Sequence, residues 1–522
     1  MNNRIWRRIA LFVGLFALGF VSAAYYNKEI SHCMGLKILT EKEMTQITDY
    51  TQQDLSDIIL LDGYPAPVDT ATNTIYLSQK LTPKTYYTDF GGVISSADEE
   101  VQLYFAADTQ LENPAQAAKD GHTFKLIAQL ADKSCVEYNV VFTTLPVVNM
   151  GNSQITGVRK ALPIDATGDR DVYTGTVSVW DGSYDGTGSY SAKSSTAQWH
   201  QRGNSTFWYE KKSWKLNFKD KDGNNADVDF LGLEADDDWI LNGLARDDTR
   251  LREKSVMDLW NSTVANEEYN HKMSAGKYVE LINDGRYMGI YLLQRRIDAK
   301  YLELEDGVEV AKGGKGEVLY ETVNTNSEQE TLQFLQQLRD GENIKYLDVN
   351  NWIDVSLFVD AFYMADNAAR YNTFYIIEDM KTQPKISLTL WDTDFSLGIN
   401  YEGGFVHRPE KAGSIRRNKD ELYLLAEIYP DIYQNMSQRW AQLRESWLSE
   451  ENIISVIDAN YAKLNESGAF ARDDERWENE YGESDTYDAM CSYIKERMAY
   501  LDSCYAKGEV IRETGDEVPN KQ

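Results

Sequence analysis

Two hydrophobic periods divide this chain, and their order limits what it can fold into. From about residue 52 to the stretch "KYVELINDGRYMGIYLLQRRI", apolar and polar positions mostly alternate. From residue 328 onward helical periodicity prevails. A period of two sends successive side chains to opposite faces of a strand, whereas a period near 3.6 lines one face of a helix. Each part holds one exception. "DDTRLREKSVMDLWNSTV" reads as a helix among strands, and "NTFYIIED" with "KISLTLWDTD" as a strand pair among helices. Strands grouped before helices predict an α+β chain, a β-rich lobe followed by a helical one.

At 522 residues the chain is long enough for two globular units and a tail, and 42% hydrophobic residues supply sizeable cores. Short alternating runs such as "VQLYFAA" and "CVEYNVVFTTLP", separated by Gly, Asn, Asp and Pro, predict a small all-β sandwich over residues 52–144. The second unit spans residues 145–505. Within it Asn283-Asp284-Gly285 predicts a tight hairpin, because the turn needs positive φ angles. Residues 27–51 read as a polar, loosely packed spacer and residues 506–522 as a frayed tail.

Arg4, Arg7 and Arg8 precede an uncharged run from Ile9 to Tyr26, with Ser22, Ala23 and Ala24 beyond its core. This is the layout of a secretory signal peptide or a short signal-anchor over residues 1–26, so the remainder is expected to be exported: extracellular, on the cell surface or membrane-anchored. Cys33, Cys135, Cys491 and Cys504 fit no zinc spacing. Cys491 and Cys504 share a helical pattern that separates them by about 20 Å, beyond disulfide reach. An exported chain without a disulfide framework suits a bacterial source. With 83 acids against 53 bases the net charge is −30, which argues against nucleic acid as a partner and suits, first, a solvated soluble surface and, second, a cationic or basic protein partner.

Three stretches hold candidate chemistry. In "WHQRGNSTFWYEKKSWKLNF" a strand ends at Arg202-Gly203-Asn204-Ser205 and another resumes at Ser213. Trp214, Leu216 and Phe218 share one face of that second strand; Ser213, Lys215 and Asn217 share the other. A glycine turn with free backbone N–H groups beside a strand lysine can hold phosphates, although an exposed hairpin with lysines has the same pattern. In "AFYMADNAARYNTFYIIED", Asp366 closes a helical segment and Asn372 follows before a strand. In phosphoryl transfer a loop aspartate receives the acceptor's proton and a nearby asparagine binds Mg²⁺, while the plain structural alternative is a polar helix end. In "LTLWDTDFSLG" Asp392 and Asp394 sit two apart where an apolar strand ends, so both carboxylates are expected on one side, repelling each other unless a cation lies between them.

These blocks, together with "DDWILNGLARDDTRLREKSVMDLW" and "YVELINDGRYMGIYLL", resemble in order the CotH family, the atypical protein kinases related to spore coat protein H. The resemblance covers about residues 145 to 500. It implies a bilobal, atypical protein-kinase-like fold that binds ATP with Mg²⁺ or Mn²⁺ and phosphorylates Ser or Thr of a protein substrate. By position, Asp366 resembles the catalytic-loop aspartate and Asp392 the metal-binding aspartate, with Asn372 and Asp394 supporting metal. Lys215 resembles the phosphate lysine, with Arg202 and Gly203 beside it. Lys212 stays open for the same role, since the twist of so short a strand is not fixed by sequence. Family members usually carry an acid shortly after the "YLL" strand, where this chain has Gln294, Arg295 and Arg296; Glu253 or Glu280 would have to replace it. The substrate expected from the charge is basic and Ser-rich. A non-catalytic cell-surface or coat scaffold is the alternative from another class. Paired acids with 12 Trp and 33 Tyr would also suit a carbohydrate-active enzyme, but acids two apart on one strand do not flank a sugar ring.

Overall fold

The computed structural model describes residues 32–161, 168–183, 193–203, 205–314, 320–368, 370–399, 409, 419–477 and 485–506. The expected signal or anchor segment (1–26), Asn204 of the glycine turn and residues 507–522 of the tail lie outside the described residues. The fold is mixed α+β with an N-terminal all-β region. That region pairs a seven-stranded sheet with a three-stranded one around a single apolar core that includes Leu61, Phe105, Tyr138 and Phe142. The loosely packed spacer expected over residues 27–51 is corrected for residues 32–39. His32–Cys33 and Leu36–Leu39 are strands at one edge of the seven-stranded sheet, held because Cys33, Leu36 and Ile38 are buried in its core.

Seven strands between Val147 and Arg295 close into a barrel, sealed by parallel pairing of Val147–Arg159 with Gly276–Asn283. Closure removes exposed strand edges. Alternation fills the barrel with one face of each strand: Trp199, Leu216, Phe218, Trp239, Leu241, Tyr291 and Leu293 point inward. Their sequence neighbours form the outer face. The Asn283-Asp284-Gly285 hairpin turns with φ of 45° at Asp284 and 68° at Gly285, as its sequence predicts.

The helix Arg252–Ser262 and the barrel's outer residues Tyr278, Ile290 and Leu292 share the largest core with the C-terminal helices. At its centre lies the helix Val349–Phe362, in which only the first two residues escape burial. A four-stranded sheet is the other wall of this part. Its Ala311, Tyr375 and Leu388 face the helices, whereas Val310, Phe374 and Ile376 face the barrel and pack with Ile240. A cavity of about 720 Å³ opens beside that packing contact.

Candidate active site

The barrel supplies a basic wall. The strands Lys193–Arg202 and Ser213–Lys219 pair with His200 opposite Lys215 and Arg202 opposite Ser213. Because Trp199 and Leu216 point inward, these residues point outward to the cavity. Arg170 grips the glycine turn, donating to the carbonyls of Gln201 at 2.9 Å and Gly203 at 2.7 Å. Gly203 has φ of 102°, and a Cβ there would lie 1.9 Å from Thr206 Oγ1, so only glycine fits. Lys215 pairs with Asp238 at 3.0 Å, and Arg296 reaches the same carboxylate at 3.1 Å. Burial disfavours the Asp238 charge, but Lys215 together with Asn217 and Arg296 outweighs it and holds the carboxyl below its usual range. Burial, reinforced by Arg159 and Lys215, pushes His200 down to about 4, which keeps its ring neutral at pH 7.

The opposite wall is acidic. After Phe362 the chain turns through a left-handed Tyr363, and a four-residue helix, Ala365–Ala368, carries Asp366 and Asn367. Arg370 and Asn372 are also left-handed, with φ of 61° and 55°. Asn367 staples this loop to the next strand end, donating from Nδ2 to Asn372 O at 3.2 Å and Trp391 O at 3.0 Å. Gly313 completes the support, because a Cβ there would stand 2.1 Å from the Arg370 carbonyl oxygen. The expected extended Asp-x-Asp is corrected. The strand stops at Leu390, and Asp392 has φ of 56°, since its carboxylate meets Asn372 Nδ2 at 3.3 Å instead of continuing the ladder. Asp392 and Asp394 both still line the cavity.

The first turn of the helix Arg252–Ser262 holds this segment. Glu253 accepts from Thr393 N at 2.8 Å, while Arg252 donates to the carbonyls of Ser396 at 3.0 Å and Leu397 at 3.4 Å. Burial and the charge of Asp392 push Glu253 up to about 8. Burial, Asp392 and Glu253 likewise raise Asp394, against the pull of Arg246.

The fold thus brings Arg202, Gly203, Lys215, Asp366, Asn372, Asp392 and Asp394 to one cavity. Lys212 is not there. Its Nζ donates to the Phe207 carbonyl at 2.6 Å, tying down the turn rather than facing the acids. A family model described as CotH kinase protein matches residues 199–501. The chain belongs to the CotH family. No curated protein matches it.

In this CotH chain the partner of Lys215 is neither acid that sequence reasoning offered. Glu253 bonds the Asp392–Asp394 segment, and Glu280 is buried against Arg472 at 2.9 Å, off the cavity. Asp238 pairs with Lys215 instead, from the first position of the strand Asp238–Asn242, where i and i+2 spacing sets it on the same strand face as Ile240, which lines the cavity. Of the basic residues after the "YLL" strand, Arg296 joins Asp238 and Arg295 bonds Asp236. Lys312 and Arg246 also line the cavity. Lys312 lies outside the recognisable blocks, and Arg246 lies within "DDWILNGLARDDTRLREKSVMDLW" with no local pattern to single it out.

The donors suit a hard divalent cation. The raised Glu253 and Asp394 carboxyls mark a site where negative charges crowd and a cation would relieve them. Among the described residues, the tight carboxylate triad with ligand atoms within 4.8 Å is elsewhere, at Asp227, Asp236 and Asp237. Lys300 pairs with Asp227 at 2.6 Å, and Arg295 with Asp236, so two of its three carboxylates already have cationic partners. The cavity acids form no such triad, and Mg²⁺ needs only one or two protein carboxylates, completing its shell with phosphate and water.

Proposed function

We propose that this CotH-family chain is a protein kinase that transfers the γ-phosphate of ATP to Ser or Thr of a protein, using Mg²⁺ or Mn²⁺. One observation carries this reading: Lys215 and Arg202 line the same cavity as Asp366, Asn372, Asp392 and Asp394. The barrel and the helical part would then be the two lobes of a kinase-like fold. Residues Ile240, Ile297, Val323, Phe374 and Trp391 offer the apolar part of the cavity to a nucleobase.

Asp392, with Asn372 and Asp394, would hold the cation, which supplies charge neutralisation to the phosphates when bound. Lys215, braced by Asp238, holds phosphate oxygens in a fixed position. The turn at Gly203 brings backbone close to them. Asp366 orients the acceptor hydroxyl and takes its proton. The signal-peptide or signal-anchor pattern of residues 1–26 supports export or membrane anchoring, with a cell-surface or spore-coat protein as substrate. A basic, Ser-rich chain complements the net charge of −30.

Incubation of the purified chain with labelled ATP and Mn²⁺ is the test. Phosphate incorporation into the chain or an added basic protein is expected, and Asp392→Ala abolishes it while leaving the folded circular-dichroism spectrum intact. Full incorporation by Asp392→Ala removes that residue from the mechanism. A chain that binds no nucleotide with metal is a coat or surface scaffold instead.

A further inference from the structure

Lys312 lies on the strand Glu309–Gly313 and lines the cavity. Its register partner is Phe374, and two residues away Val310 pairs with Ile376. Val310, Phe374 and Ile376 belong to the apolar cluster that contains Ile240 of the barrel. Ile240 is in turn the register partner of Lys215. The two lysines therefore stand on facing walls, each beside the apolar contact that joins those walls.

Their partners differ. Lys215 is paired with Asp238 at 3.0 Å, whereas no hydrogen bond or ion pair joins Lys312 to any described residue. Burial, reinforced by Arg202, lowers the Lys312 pKa; Asp392, the largest electrostatic counterweight, acts against this, and so do Glu321 and Asp366. Gly313, the next residue, abuts the Arg370 carbonyl, so the strand end is fixed against the loop that carries Asp366 and Asn372. An ammonium withdrawn from water without a carboxylate of its own is stabilised by an anion arriving in the cavity.

We propose that Lys312 is a catalytic residue that donates from Nζ to a terminal-phosphate oxygen of the bound nucleoside triphosphate, from the wall opposite Lys215. This deepens the kinase reading and rests on it. In the transfer, the acceptor hydroxyl oxygen bonds to the γ-phosphorus as the bond from that phosphorus to the β–γ bridging oxygen breaks. The electron pair leaves with the nucleoside diphosphate, the hydroxyl proton goes to Asp366, and Lys312 keeps its proton throughout. Its charge offsets the negative charge spread over the non-bridging oxygens.

A γ-phosphate contact distinguishes triphosphate from diphosphate, so the test is binding of ATP and of ADP. The full chain with Mn²⁺ is titrated calorimetrically as wild type, Lys312→Met, Lys312→Arg and Lys215→Met. Lys312→Met is expected to lose about tenfold or more in ATP affinity with ADP affinity changed less than about twofold, the loss typical of a charge-assisted hydrogen bond. Lys312→Arg recovers part of the loss, and Lys215→Met weakens both nucleotides. Unchanged ADP binding also certifies that Lys312→Met is folded. No loss, or an equal loss for ATP and ADP, overturns the role of Lys312. A wild-type chain that binds neither nucleotide overturns the kinase reading first, and this proposal with it.

Discussion

His200 shows how a single residue's surroundings become a property of the protein. Burial, Arg159 and Lys215 together hold its pKa at about 4, against 6.5 for a free imidazole. His271, half-buried and near Lys385, is also pushed down to about 4 by desolvation and that lysine. Between these values the unfolded chain binds more protons than the folded one, so the neutral rings contribute stability that is intact above 6.5 and lost as pH falls toward 4. The double variant His200→Gln/His271→Gln should lose less stability than the wild type between pH 7 and pH 5 in urea unfolding. An unchanged pH slope would show that these rings are not the titrating groups. The imidazoles are legible in the sequence, but their neutrality is not, because Arg159, Arg170 and Lys215 around His200 come from three different strands.

Among the elements, the helix Ala469–Arg476 is the clearest case of a local pattern with a non-local purpose. Its Asp473 accepts from Ile290 N at 2.7 Å, from Lys211 at 2.5 Å and from Arg250 at 2.7 Å, all buried. Gly289 admits this contact, since a Cβ there would lie 2.0 Å from the carboxylate. Arg476 and Trp477 add hydrogen bonds to the carbonyls of Tyr287 and Met288. The helix thereby fastens the end of the chain to the barrel wall. Asp473→Ala strands two buried cations and is expected to cost about 3–5 kcal/mol in denaturant unfolding. A cost below about 1 kcal/mol would mean that water takes the place of the carboxylate. Sequence periodicity foretells a helix here, but not its partner, because Lys211 is 262 residues away and no local pattern links the two.

Across the whole molecule, charge is segregated. A chain of net charge −30 directs Arg170, Arg202, Lys215, Arg246 and Lys312 into one cavity, facing its own acids. Stability comes from continuous cores rather than covalent links: Cys33, Cys135, Cys491 and Cys504 are all free, and Cys491 and Cys504 lie on one helix. Dithiothreitol should therefore leave Tm unchanged in a thermal melt. A drop of several degrees would reveal a bond between chains.

By itself the sequence determined which stretches alternate and which coil. It also set the inward face of the Ser213–Lys219 strand, the Asp284-Gly285 turn, and the blocks that mark the CotH family. These depend on periods and turn chemistry that act within a few residues. Only the tertiary structure decided that Asp238 braces Lys215, that Lys212 holds a turn instead, that residues 32–39 complete a sheet, and that Lys312 and Lys215 line one cavity from different sheets. Each of those outcomes depends on strand register and on the closure of the barrel, which bring together side chains that no short-range pattern connects.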